Sequence, residues 1–484
     1  MSLDFSQILA PSLNEVSIAE IEGKILNLGC AKDQNLTHYI NSEGIVFPNL
    51  QVPYQLSHPD LVHLGTRRVV TDLPTSPTAY GRFMDSVKHS IDEQINQAQT
   101  YIQEVTQNIK DMLPSFLNNY IFNADTEEYM QSLRMKIDRY PAKIIDWHPY
   151  FSIFAVAHRV DVILLYDLRV EEWFPEVLEN SLQKEITCMA WKPLGGNILA
   201  VGCRRGICLW ELSLEQKKES VPTRLPAWMR HLHYPGHENI VSLAWHPHGY
   251  SLATGSADGS VILWDTAFET GTPLTRNRKV TFLSWSPVGE FLFSSSLDGK
   301  IEVWETQRWT SKTITSNGYP VETGCWTTDG RALFLGFDGY EGEILVLSIS
   351  PNFDYEWLPK IDLSPIPECA GIGIEQLAID PNGERLIACF KDTQLFKDTP
   401  LLLVFDAKLP SQVSKKANLL NFPRTMRGPA WNDPDDQGAF LTQSDPKPVS
   451  LSFAKQFTRG SLLSPVWGDG QISFIPFLYN KANK

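Results

Sequence analysis

The chain has 484 residues, of which 43% are hydrophobic and 20% charged, so it is long enough to bury a large core and has none of the composition of a disordered tail. Forty-two basic against 56 acidic residues give a net charge of −14, which disfavours general binding to a phosphate backbone, since that pulls in roughly one cation per contact. The longest apolar runs, such as Leu401 to Phe405, fall far short of the ~20 residues that cross a bilayer, and no basic-then-apolar signal opens the chain. It reads as a soluble chain that stays inside the cell. The seven cysteines (Cys30, Cys188, Cys203, Cys208, Cys325, Cys369, Cys389) contain no Cys-x-x-Cys pair and mostly sit in apolar runs, so they read as buried free thiols in a reducing compartment.

In chain order, residues 1–60 form an N-terminal segment, and 61–140 read as a helical region. Within it Met84, Val87, Ile91, Ile95, Ala98, Ile102, Val105, Ile109 and Met112 recur at spacings of three and four, with no Gly or Pro before Pro114. That spacing predicts a long amphipathic helix, and a shorter one is expected within Glu127 to Lys136. The apolar stripe suits packing on its own domain or a face offered to a partner, and its polar side lacks the Lys/Arg richness of a membrane-surface helix.

From about 141 to 480 one pattern repeats: an apolar strand ending in an aromatic, a short Pro or Gly turn, then further apolar strands. Trp147-His148-Pro149, Trp191-Lys192-Pro193, Trp245-His246-Pro247 and Trp285-Ser286-Pro287 are clear copies, and Cys325-Trp326 with Asp329-Gly330 is a fifth. Ile379-Asp380-Pro381 and the stretch ending at Phe453 are weaker copies. Asp-Gly turns follow at Asp258-Gly259 and Asp298-Gly299, and third strands close on Tyr166-Asp167, Trp210-Glu211, Trp264-Asp265, Trp304-Glu305 and Phe405-Asp406. This is the Trp-Asp repeat signature, and copies of ~45 residues predict an all-β, seven-bladed WD-repeat β-propeller behind an α-helical N-terminal region. A blade cannot bury both faces alone, whereas a closed ring of blades can, so the aromatic positions are packing residues first. The last copy has no fourth strand, and the stretch 45–52 is expected to supply it and clasp the ring. Long connections at about 212–236, 348–373 and 407–448 offer either binding loops or filler.

No nucleophile elbow, phosphate loop or dinucleotide fingerprint is present. His237-Glu238 fails as a zinc helix because Val241 stands where the second His belongs. His231, His233, His237, His246 and His248 cluster in sequence, yet three of them sit at positions set by the repeat, so structural roles are expected rather than a metal site. Asp258 and Asp298 could be weighed as a carboxylate pair, but each recurs at the same turn of its own repeat. His237, Asp258 and Trp264, with Thr254 or Ser256, suit a buried network. No catalytic residue, cofactor or metal is expected. Trp147, Trp191, Trp210, His237, Trp245, Asp258, Trp264, Trp285, Asp298, Trp304, Trp326 and Asp469 are expected to pack blades and form turns.

The strings Met189 to Leu194, Ser242 to Trp245, Thr323 to Trp326 with Asp329-Gly330-Arg331, and Trp467-Gly468-Asp469-Gly470-Gln471-Ile472 followed by Ile475-Pro476-Phe477 resemble the blades of the aladin family of WD-repeat nucleoporins. So does Gly65-Thr66-Arg67 before a helical region. The resemblance implies a non-enzymatic scaffold or adaptor of the nuclear pore complex, held at the nuclear envelope by a transmembrane nucleoporin and supporting nucleocytoplasmic transport. It extends to the mitotic spindle and centrosome. No Phe-Gly dipeptide occurs, so a barrier-forming role is not expected. The Pro-rich tail of vertebrate relatives has no counterpart before Lys484. The fold alone would also permit a generic adaptor, for example a ubiquitin-ligase substrate receptor. Neither direct nucleic-acid binding nor membrane insertion is expected.

Overall fold

A computed structural model describes residues 11, 15–29, 36, 39–40, 47, 50–52, 62–63, 141–214, 227–276, 279–316, 318–337, 343–363, 373–391, 401–407, 420, 423–428 and 447–479. The chain divides into two compact units, residues 1–65 with 134–484, and residues 66–133; the described residues all belong to the first. The expected helices at 80–112 and within 127–136 lie outside the described residues, as do Cys30, Cys369 and the 65–67 string.

Six four-stranded antiparallel sheets follow one another, and a larger mixed sheet completes the ring. Blade 1 runs Ala142–Trp147, Ile153–His158, Ile163–Asp167 and Glu172–Trp173. Blades 2 to 6 repeat the same meander, starting at Cys188–Trp191, Ile240–Trp245, Val280–Trp285, Val321–Trp326 and Ile374–Ile379. The seventh blade holds Pro448–Phe453, Gly460–Trp467 and Ile475–Leu478, plus strands from the N-terminus. In blades 2, 3, 4 and 6 the first strand ends at a four-residue turn with Pro second and Gly fourth, closed by bonds such as Gly249 N–H to His246 C=O at 2.7 Å and Gly289 N–H to Ser286 C=O at 2.9 Å. Pro presets the φ this turn needs. Glycine is required at its end for two reasons: Gly289 has a φ of 81°, and a Cβ there would stand 2.6 Å from the imidazole of His246 in the preceding blade.

The core lies between the blades rather than within them. One apolar cluster spans each pair of neighbours: Leu165 and Ile153 meet Trp191 and Leu199 at blades 1 and 2, and Phe293 and Val303 meet Leu333 and Leu335 at blades 4 and 5. The last cluster closes the ring, joining Trp147 and Phe154 of blade 1 to Leu462 and Val466 of blade 7. A blade therefore has no complete core of its own, which is why the repeats hold only as a ring.

The closing strand differs from the sequence expectation. Residues 50–51 do enter the seventh sheet, pairing antiparallel with Gln471–Ile472, but they do not form its outer strand. That strand is Val16–Ile21, which lies parallel to Ile475–Leu478 and folds back on Lys24–Leu28. Pro48 and Pro53 bracket 49–52 and supply no N–H, which limits that stretch to a short pairing. The hairpin Val16–Leu28 instead alternates apolar residues about Glu22-Gly23, whose φ values of 48° and 82° match the right-twisted two-residue turn of hairpins.

Candidate functional site

The tryptophans that end the first strands join neighbouring blades. Trp191 Nε1 donates to Asp146 C=O at 3.2 Å, Trp245 Nε1 to Ala190 C=O at 3.1 Å and Trp285 Nε1 to Ala244 C=O at 3.0 Å. Each acceptor is the residue just before the matching Trp of the previous blade. Trp147 donates instead to Ser464 Oγ at 3.2 Å, on the second strand of blade 7. At Trp326 the series breaks: its indole N–H is buried with no partner among the described residues, as is that of Trp304.

First strands border the ring axis and so leave one backbone edge without a strand neighbour. Side chains of adjacent blades cover these edges. Ser242 Oγ accepts from Leu283 N–H at 3.1 Å, Thr323 Oγ1 from Leu377 N–H at 3.0 Å, and Ser450 Oγ from Ile145 N–H at 3.4 Å. Gln376 takes both backbone groups of Leu451, at 2.8 and 3.1 Å. Ser295 and Asp146 receive Val321 and Trp191 N–H at 3.1 and 2.9 Å, and Thr187 Oγ1 donates to Ile240 C=O. Burial raises the pKa of Asp146, a tendency opposed by Lys455 and by the N–H groups of Trp191 and Trp147.

The network expected about His237 forms with one change of member. Trp264 Nε1 donates to Thr254 Oγ1 at 2.8 Å, so the Thr254 proton is available to His237 Nε2 at 2.8 Å, and Nδ1 meets Ser260 Oγ at 2.6 Å. Ser256 joins through Ser260 at 3.1 Å. Asp258 lies outside this chain; it is exposed, both its oxygens receive Asn239 Nδ2 at 3.2 Å, and both imidazole nitrogens are already engaged. Burial, then His233, holds the His237 pKa down at about 3. Trp210 donates to Oε1 of Gln183 at 2.6 Å, in the connection between blades 1 and 2. Asp298 Oδ1 accepts from Ser296 Oγ at 2.7 Å and Lys300 N–H at 3.2 Å. Asp469 Oδ1 accepts from Gln471 N–H at 2.9 Å. Both are turn aspartates.

His148 and His246 cap turns. His148 Nδ1 accepts from Tyr150 and Phe151 N–H at 3.1 and 3.0 Å, and burial lowers its pKa to about 4. His246 Nδ1 accepts from His248 N–H at 3.1 Å. Among the described residues no group of three or more His, Cys, Asp or Glu is placed to hold a metal ion. The described cysteines are free, and burial pushes the Cys188 and Cys389 thiols up to about 12.

In a four-stranded meander the turns after the first and third strands emerge on the same face. That face carries exposed apolar side chains on successive blades: Tyr150, Leu194, Tyr250, Phe268, Val288 and Trp309. Phe268 is 78% and Tyr250 59% exposed. The turns beneath are rigid: His246 meets Trp285 edge-on at 4.7 Å, Tyr250 Oη meets His246 Nε2 at 3.1 Å, and Trp309 meets Trp285 at 6.1 Å. A run of apolar groups on a fixed base is a candidate protein-docking face. Sequence reading missed it because single apolar residues in turns carry no periodic signal.

A second constellation, also missed, lies where the chain's two ends meet blade 6. Glu20 is fully buried and receives Arg385 Nε at 2.9 and 3.2 Å and its terminal nitrogen at 2.7 Å. Arg424 stands 3.3 Å from Glu20 and pairs with Asp406, which Arg385 also reaches at 3.3 Å. The Arg385 guanidinium lies 5.0 Å from the Tyr479 ring centroid, and Tyr479 Oη donates to Asp380 at 2.8 Å. Burial alone would lower the Arg385 pKa, but Glu20, then Asp406 and Tyr479, raise it. Only Glu22-Gly23 in a short alternating stretch could have signalled this hairpin in advance.

Fold and turns together define a WD-repeat β-propeller. A family model described as the aladin seven-bladed propeller matches residues 132–478. Aladin of Arabidopsis thaliana is 30% identical over 358 residues, covering 69% of this chain and 75% of that one. The chain belongs to the aladin family, the propeller scaffolds of the nuclear-pore type. Among solved structures it is similar to the Cps50 (Swd1) β-propeller domain of Myceliophteria thermophila, at 13% identity and a TM-score of 0.49 over 69% of this chain and 95% of that one. A chain of the mitotic checkpoint complex gives 16% identity and 0.49 over 70% and 87%.

Proposed function

We propose that this chain is a peripheral scaffold or adaptor of the nuclear pore complex, docking other proteins on the turn face of its ring and supporting nucleocytoplasmic transport. The observation that carries this reading is the family match over the whole propeller, 132–478. No helix among the described residues is long and apolar enough to cross a membrane, so residence at the nuclear envelope is assigned to a transmembrane nucleoporin that holds the ring. A role at the spindle or centrosome in mitosis follows from the same family reading.

Imaging of the tagged full-length chain at endogenous level tests it. A punctate nuclear rim coincident with pore markers is expected in interphase, and a Tyr250→Ser/Phe268→Asp variant is expected to fold normally yet lose rim signal. A diffuse signal from the unaltered chain would transfer the lead to a generic adaptor role. Purified protein is expected not to float with protein-free liposomes.

A further inference from the structure

The N-terminal hairpin is joined to the ring by little backbone and by much charge. Its parallel pairing with the terminal strand covers Glu20 with Phe477 and Ile21 with Leu478, extended by Glu22 N–H to Leu478 C=O at 3.1 Å. Its apolar contact is modest: a satellite cluster of Ala19, Tyr39 and Leu478 with Ile18, Ile21 and Leu26 packed on it, and Ile25 against the cluster between blades 6 and 7. The remainder is polar: the two arginines on Glu20, Arg424 on the Gly23 carbonyl, and Arg427 N–H on Ser17 Oγ at 3.0 Å.

The socket, in contrast, is built by the ring itself. Arg385 is held over Tyr479, and Tyr479 is held by Asp380, which also accepts Ser461 Oγ at 2.6 Å and the backbone N–H of Arg385 at 2.8 Å. None of these groups belongs to the hairpin. With the hairpin lifted away, Arg385 and Arg424 would face the vacated groove against Asp406 alone, beside a strand edge able to pair. A preorganised cationic socket at an open strand edge suits an extended segment bearing a carboxylate.

We propose that the hairpin is an exchangeable clasp, and that the groove between the terminal strand and blade 6 is an acceptor site for an extended segment with a carboxylate at the position of Glu20 and apolar neighbours either side. The chain's own residues 16–28 are the resident occupant, and a partner strand of the same chemistry displaces them. This inference is independent of the nuclear-pore reading.

The test uses the full-length chain and a fluorescein-labelled peptide of residues 15–29. The Glu20→Gln chain, whose own clasp lacks its charge, is expected to bind this peptide at least about tenfold more tightly than the unaltered chain. The peptide carrying Glu20→Gln is expected to bind neither. Equal binding of the two peptides, or no peptide binding by a folded Glu20→Gln chain, overturns the proposal. Hydrogen exchange on the unaltered chain decides the matter should that variant fail to fold. Amides 19–22 are then expected to exchange at least about tenfold faster than amides 462–464, and equal rates at the two overturn the proposal.

Discussion

The interfaces of blades 2 to 4 and the seam at blades 6 and 7 are held by opposite means. Between blades 2 and 3 and between 3 and 4, buried indole N–H groups and a serine meet backbone, and the ion pair of Arg230 with Glu269 at 3.2 Å is confined to a partly exposed edge. At the seam a buried carboxylate meets two guanidinium groups. The difference follows from connectivity. Adjacent inner blades are joined by a short stretch of chain, so packing and neutral bonds suffice to set their register. The hairpin and blade 6 lie 365 residues apart at Glu20 and Arg385, and there the pairing must select its partner by direction and charge. Such a buried pair contributes little net stability against an apolar replacement, yet breaking one half of it is expensive.

The largest expected effect is at the seam. Arg385→Ala leaves Glu20 buried against Arg424 alone and is expected to cost about 3–5 kcal/mol in denaturant unfolding. Lys300→Ala, which breaks the half-exposed pair with Asp298, is expected to cost less than about 1 kcal/mol. Similar losses at the two would erase the distinction between seam and surface.

Acid sharpens the comparison next. His148 and His237 are held neutral, with pKa values near 4 and 3 against ~6.5 when unfolded. Their neutral state therefore contributes stability that is fully present above about pH 6.5 and is lost as pH falls toward those folded values. An NMR titration of the ring protons is expected to show His237 uncharged at pH 4, and protonation there near pH 6 would contradict the buried network.

The indole series provides a smaller contrast. Trp285→Phe removes one bond to the Ala244 carbonyl, whereas Trp326→Phe removes an N–H that has no partner among the described residues. The first is expected to destabilise by about 1 kcal/mol more than the second. Smallest of all, Phe268→Asp is expected to shift thermal unfolding hardly at all, within about 0.5 kcal/mol, because its side chain is 78% exposed.

Much of the ring was legible because its devices are local. Trp-x-Pro with a following Gly is one turn, Asp-Gly another, and both sit within a few residues of the strands they join. The seven-fold count follows from their recurrence. The network about His237 was legible to within one residue: Ser260 takes the place expected for Asp258, since which of two nearby polar side chains reaches an imidazole depends on turn geometry rather than on spacing. The seam was not legible, because nothing in Val16–Leu28 states that its partner is Arg385 or Leu478. The stretch 45–52 looked like the better strand for its position, and pairing rules carry no information over such distances.

The clasp also imposes a schedule. Ser17 meets Arg427 at a separation of 410 residues, so at about 5–20 residues per second the ribosome needs roughly 20–80 s to deliver the second after the first. For that interval the nascent ring stands open, with an unpaired strand at one end and a waiting hairpin at the other. Cellular synthesis of this protein should accordingly depend on chaperones that shield strand edges, far more than its finished architecture would suggest.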